Sequence, residues 1–147
     1  MTSRAGVYDS VSSRRINKRC GRRKYRYVTF VTLRDNTGRR SKLVMELLRA
    51  ICKRYSARRW GRKVKTSRAT HVHAIVVSEK RIDKDEVVEM CRPHGIRAWV
   101  ESLNGKSSRV LRERIRYIKS SHNSGRPIGS DYVLKIAYRV LYFGGSS

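Results

Sequence analysis

Apolar residues recur along this chain with two different periods, and the change from one to the other predicts its elements. "KYRYVTFVTL", Lys24 to Leu33, alternates in β-branched and aromatic residues and reads as a strand, with Tyr25, Tyr27, Thr29, Val31 and Leu33 on one face. "RDNTGRR" turns. From Ser41, Leu43, Leu47, Ile51 and Tyr55 recur every four residues, and Val44, Leu48 and Cys52 widen the stripe. That spacing predicts an amphipathic helix with Ser41 as its cap. "RRWGRKVKTS" reads as a short basic strand, and Ala69 to Ser78 as another strand. "DKDEVVEMCRP" predicts a helix: Asp83 caps it, Glu86 follows three residues on, and Pro93 and Gly95 end it. "IRAWVES" is a strand. "SSRVLRERIRYIKSS" is a helix with Val110, Leu111, Ile115 and Ile118 as its stripe and Ser107 or Ser108 as cap. "HNSGRPIGS" is a loop, and "DYVLKIAYRVLYF" fits either a helix or a strand.

This order predicts an α+β fold of the ferredoxin-like or RRM-like sandwich type, a central antiparallel sheet with helices on one face and the other face open. One domain is expected over residues 25–143, between a basic, flexible arm at 1–24 and a short tail at 144–147. The arm carries Arg4, Arg14, Arg15, Lys18, Arg19, Arg22, Arg23 and Lys24 against a single acid, Asp9.

Charge narrows the function. Thirty-six Lys and Arg oppose 11 Asp and Glu, a net charge of +25 on 147 residues. Such a chain repels itself unless a polyanion neutralises it, which points to nucleic acid. No apolar run is long enough to span a membrane and no secretory signal opens the sequence, so no membrane partner and an intracellular setting are expected: the cytoplasm, or the host cell of a virus or plasmid. Cys20, Cys52 and Cys91 are odd in number and form no CxxC pair, which argues for reduced thiols over a zinc site or a disulfide framework. The absence of Gln and the presence of only four Asn fit a hot habitat.

The candidate chemistry lies in "THVHAIVV". Side chains two apart on a strand point the same way, so His71, His73, Ile75 and Val77 share one face and Val72, Ala74 and Val76 the other. Paired imidazoles can hold a divalent cation if a further ligand joins them. Glu113, Glu101, Glu79 and His122 are the candidates, with Glu113 taken first and His122 as its alternative. Glu113 shares a helix face with Tyr117, four residues on. No GxSxG pattern supplies another nucleophile, whereas a tyrosyl oxygen can attack phosphorus and hold a strand as an ester. Arg58, Arg59, Arg62, Lys63 and Lys65 around Trp60 suit an unpaired strand, although Trp60 equally suits the edge of a core.

"VTFVTL", then "HVHAIVV", then a helix carrying "RYIKS" resembles the HUH endonuclease superfamily, named for a His, a bulky apolar residue and a His, here His71, Val72 and His73. Rolling-circle replication initiators, conjugative relaxases and single-strand transposases belong to it, and the small single-tyrosine initiators are similar to this chain in size. The resemblance implies a site-specific nuclease that nicks and joins single-stranded DNA, hairpin origins included, with Mg2+ or Mn2+. It implies a covalent 5′-phosphotyrosine, a released 3′-hydroxyl and a role in DNA replication. Topology favours Tyr117, with Lys119 close behind, as the nucleophile. The family's Tyr-x-x-Lys spacing favours Tyr132 with Lys135. No acid precedes the histidines in "WGRKVKTSRAT", so the remaining ligand must come from elsewhere or be water. A homodimer is compatible with the sequence. The alternative reading is a non-catalytic basic RNA- or DNA-binding module with an open sheet face. A viral nucleic-acid packaging protein would need only the arm.

Overall fold

The computed structural model describes residues 25–120 and 125–143. The basic arm, Cys20, His122 and the C-terminal tail lie outside the described residues. In order, the elements are β1 (Tyr27–Asp35), α1 (Ser41–Arg54), β2 (Ala57–Lys65), β3 (Thr70–Ser78), α2 (Lys84–Cys91) with a short 3₁₀ turn (Arg92–His94), β4 (Arg97–Ser102), α3 (Ser108–Lys119), β5 (Arg126–Gly129) and α4 (Tyr132–Phe143). The strands form one sheet in the order β4-β1-β3-β2-β5, and every neighbouring pair is antiparallel. The first four strands have the split β-α-β arrangement of a ferredoxin-like sandwich, so the α+β expectation holds.

The pleat divides the core in two. Val31 and Leu33 of β1 and Val72, Ala74 and Val76 of β3 pack beneath α1 and α2. On α1, Val44, Leu47, Leu48 and Ile51 all turn inward, and on α2 so do Val87 and Cys91. A fully buried aliphatic side chain contributes roughly 1.5–3 kcal/mol, so this layer anchors the sheet. The opposite face departs from expectation. α3 and α4 cover part of it, with Leu111, Ile115, Ile118, Val133, Ile136, Ala137 and Val140 packed on Val28, Trp60, Ile75 and Val77. Helices therefore lie on both faces, and only a part of the second face is left uncovered. The physical reason is the half-and-half character of β1 and β3 on that face. Val28, Ile75 and Val77 need cover, whereas Thr32, Arg34, His71 and His73 do not.

Several local expectations are revised. Ser41 is the first helical residue of α1, and the position before it, Arg40, makes no side-chain cap. Asp83 does cap α2, accepting from the backbone N–H groups of Asp85 and Glu86. Glu86 does not reach back to it; its carboxylate instead accepts from Tyr55 Oη and from Arg54. The loop before α4 contains β5, paired to β2. Cys52 and Cys91 are free and buried, and burial pushes the Cys91 thiol up to about 11, so it stays protonated and unreactive.

The turn after β1 is locked by Asp35, which is fully buried. Its carboxylate accepts from the Thr37 hydroxyl, the Thr37 and Arg40 N–H groups and, at 2.8 Å, the Arg40 guanidinium. Burial alone would raise its pKa, but these bonds outweigh burial and hold the carboxyl well below the ordinary carboxylate range. A depressed folded pKa stabilises the fold above the unfolded value of about 3.9, and that contribution is lost as pH falls toward the folded value. Asp35→Asn is expected to cost about 2 kcal/mol at neutral pH and to flatten the acid limb of the stability curve. Urea titrations between pH 2 and pH 7 check both, and an unchanged acid limb would assign it to other groups.

Candidate nucleic-acid cleft

β3 is the middle strand, so its exposed-face residues sit between those of both neighbours. Thr32 of β1 and Arg62 of β2 flank His73, while Arg34 and Val64 flank His71. On the far side of β1, β4 places Trp99 beside Thr32 and Glu101 beside Phe30. Where α3 and α4 stop covering the sheet, Phe30, Thr32, Arg34, His71, His73, Trp99 and Glu101 open into a cleft of about 1030 Å³, rimmed by Glu113, Arg114, Arg116 and Tyr117 of α3 and by Ser120 just after it.

The two imidazoles lie edge to face, with ring centroids 4.7 Å apart. His73 is buried, at 6% exposure. The Tyr117 ring stands edge-on to it with centroids 5.2 Å apart, and Tyr117 is itself 49% exposed. Thr32 Oγ1 lies 2.9 Å from His73 Nδ1. In the tautomer where Nδ1–H donates to that hydroxyl, Nε2 carries the lone pair, which is how outer partners orient metal-binding histidines.

The acids are largely committed to arginine and lysine. Arg114 forks onto Glu101 at 2.8 and 2.9 Å, and Lys106 adds a bond at 2.7 Å. The Arg114 bond is the main cause, against some opposing burial, of the fall of Glu101 to about 2, so it is ionised throughout the physiological range. Glu113 lines the cleft but pairs at 3.8 Å with Arg109 on its own helix. Among the described residues no group of three or more His, Cys, Asp or Glu is close enough to hold a metal ion. The expected set of His71, His73 and Glu113 is therefore not assembled, because Glu113 rides on α3 at the rim while the histidines lie on the sheet. Glu79 follows the far end of β3, five residues or more from either histidine.

The structure brings Tyr117 to the histidines and leaves Tyr132, Lys135, Lys119 and Trp60 elsewhere. Tyr132 begins α4, and neither it nor Lys135 lines the cleft. Lys119 lies over the Trp60 ring, 5.8 Å from its centroid, rather than beside the histidines. Trp60 is 5% exposed and belongs to the core under α3 and α4, so it offers no face for a base to stack on. The expected basic patch on β2 is divided by strand alternation: Arg58, Trp60 and Arg62 share the histidine face, and Arg59, Lys63 and Lys65 face the other way. Sequence reasoning missed Thr32, Arg34 and Trp99. Their signal is the second phase of the alternation in β1 and β4, which reads only when the pairing of those strands with β3 is known.

No family model matches the chain, and no curated protein matches it. Among solved structures it is similar to the crystal structure of the hypothetical protein ORF119 from Sulfolobus islandicus rod-shaped virus 1, with a TM-score of 0.53 over 78% of this chain and 97% of that one. At 19% identity the likeness is one of fold. Among the described residues no helix is long and apolar enough to cross a membrane.

Proposed function

We propose that this protein nicks and rejoins single-stranded DNA through Tyr117, in the initiation of rolling-circle-type replication. The observation that carries the reading is the convergence of a half-exposed tyrosine and two adjacent histidines, brought from separate elements, in one cleft of a +25 protein. His71 and His73 would hold Mg2+ or Mn2+, with phosphate oxygens and water filling the positions that no third side chain among the described residues supplies. Bound there, the ion would withdraw charge from the scissile phosphate.

The chain's own residues account for the rest. Tyr117 Oη attacks phosphorus, the P–O3′ bond breaks, and the 5′ end remains as a tyrosyl phosphodiester. The phenol gives up one proton and the departing 3′ oxygen takes one, so the step balances without net acid or base. Rejoining is its reverse, with the 3′-hydroxyl attacking the ester. Arg34, Arg116 and Lys84 line the cleft and neutralise the backbone on either side. Thr32 holds the His73 ring in register.

Full-length protein incubated with a labelled random-sequence single-stranded pool and with hairpin oligonucleotides, in Mn2+, is expected to give an adduct that survives denaturation, and EDTA is expected to abolish it. The lack of a third side-chain ligand among the described residues favours the second reading, a non-catalytic nucleic-acid-binding module. Tight, salt-sensitive binding without any adduct would establish that reading and overturn the first.

A further inference from the structure

We propose that Trp99, braced by Arg97, is a stacking platform for one unpaired nucleobase of the strand that enters the histidine cleft. The proposal rests on a nucleic-acid reading of the cleft but not on catalysis. Trp99 is 45% exposed, while the other aromatic residues of the sheet's histidine face, Phe30 and Trp60, pack against the core. It sits on β4, the edge strand of the sheet, where no further strand among the described residues lies beside it. The Arg97 guanidinium lies 5.0 Å from the ring centroid, a cation–π contact that fixes the indole and places a positive charge where a phosphate would follow a stacked base.

The register gives the platform its position. Trp99 pairs with Thr32, and Thr32 pairs with His73, so the indole stands two strands from the imidazole, about 10 Å away at ordinary strand spacing. Both residues line the same cleft, with Arg34 and Arg116 between and around them. A base held on Trp99 would therefore lead its backbone across cationic side chains toward His73 and Tyr117. An indole face accepts any base, but only one removed from a duplex stack, so the occupant is single-stranded. The rival occupant is a second copy of this chain pairing along β4, which the net charge of +25 opposes.

The two tryptophans separate the signals, since Trp60 is buried and Trp99 is not. Intrinsic fluorescence of the full chain is titrated with an oligothymidylate in EDTA, which removes any metal-dependent chemistry from the readout. Quenching of the exposed component is expected. Trp99→Ala is expected to lose that quenching and to weaken single-strand binding about tenfold, as one base stack should. Trp99→Phe should recover most of the affinity, and binding of a duplex of equal length should change by less than twofold. Unchanged single-strand affinity in Trp99→Ala, an equal loss for duplex, or Trp99 emission that varies with protein concentration in the absence of DNA would each overturn the proposal. Failure of the adduct assay with this result intact would remove the nuclease reading alone.

Discussion

Tyr117→Phe is expected to reduce covalent capture of single-stranded DNA to background while leaving non-covalent binding within about tenfold of the parent, the range of one lost hydroxyl contact. The reason is geometric. Tyr117 is carried by α3 into the cleft, and its ring contacts His73 edge-on with centroids 5.2 Å apart. Removing a single oxygen from a half-exposed ring disturbs no packing, so a loss of adduct would report on chemistry rather than on folding. Tyr132→Phe is the matched control. Tyr132 is 41% exposed at the start of α4, away from the cleft lining, and its substitution is expected to leave capture unchanged. Denaturing gels of both variants with labelled oligonucleotides in Mn2+ decide the matter. Capture that persists in Tyr117→Phe and disappears in Tyr132→Phe would move the nucleophile to α4 and require that helix to approach the histidines during the reaction.

How much of this was legible beforehand follows from what alternation and helical spacing can carry. The faces of β3 could be assigned from "HVHAIVV" alone, because a two-residue period leaves no other division. α4 could also have been read more firmly: Val133, Ile136, Ala137 and Val140 fall at i, i+3, i+4 and i+7, which fits a helix and not a strand. That stripe needs a surface to cover, and Ile75 and Val77 provide it, so the second helical layer was implicit in residues already noted. Register was not legible. Nothing local to "IRAWVES" says that Trp99 lies beside Thr32, or Glu101 beside Phe30, since both follow from hydrogen bonds between segments some seventy residues apart. For the same reason Glu113 looked available as a ligand. Helical spacing places it on the Tyr117 face of α3, but only the crossing of α3 over the sheet shows that it stops at the rim. Trp60 is the open case: five cations in eight residues fit a patch for an unpaired strand and a core edge equally, and packing decides it, since β5 pairs beside it and α4 closes over it.

Gly61→Ala is expected to be among the most damaging glycine substitutions of the described residues, costing about 3 kcal/mol or more. Gly61 lies on β2 opposite Ala74, and a Cβ there would fall 1.9 Å from the His73 carbonyl oxygen and 2.7 Å from the Ala74 Cα. These are backbone atoms of the central strand, held by ladders on both sides, and cannot yield as a side-chain tip would. Either the β2–β3 ladder opens or β3 shifts, and the segment that must shift includes His73. The same clash therefore links fold to function: a variant that survives folding should still lose its metal-dependent adduct, while its salt-sensitive DNA binding, which draws on dispersed cations, declines far less. Gly105→Ala separates the steric effect from the conformational one. Gly105 has φ +81° with nothing within 4 Å of an added Cβ, so only the left-handed backbone is penalised, at about 1 kcal/mol. Denaturant unfolding of the two variants side by side is the measurement. Equal losses would show that the approach of β2 to β3 is looser than the 1.9 Å contact implies, and that the His73 backbone is not held in place by the missing side chain at Gly61.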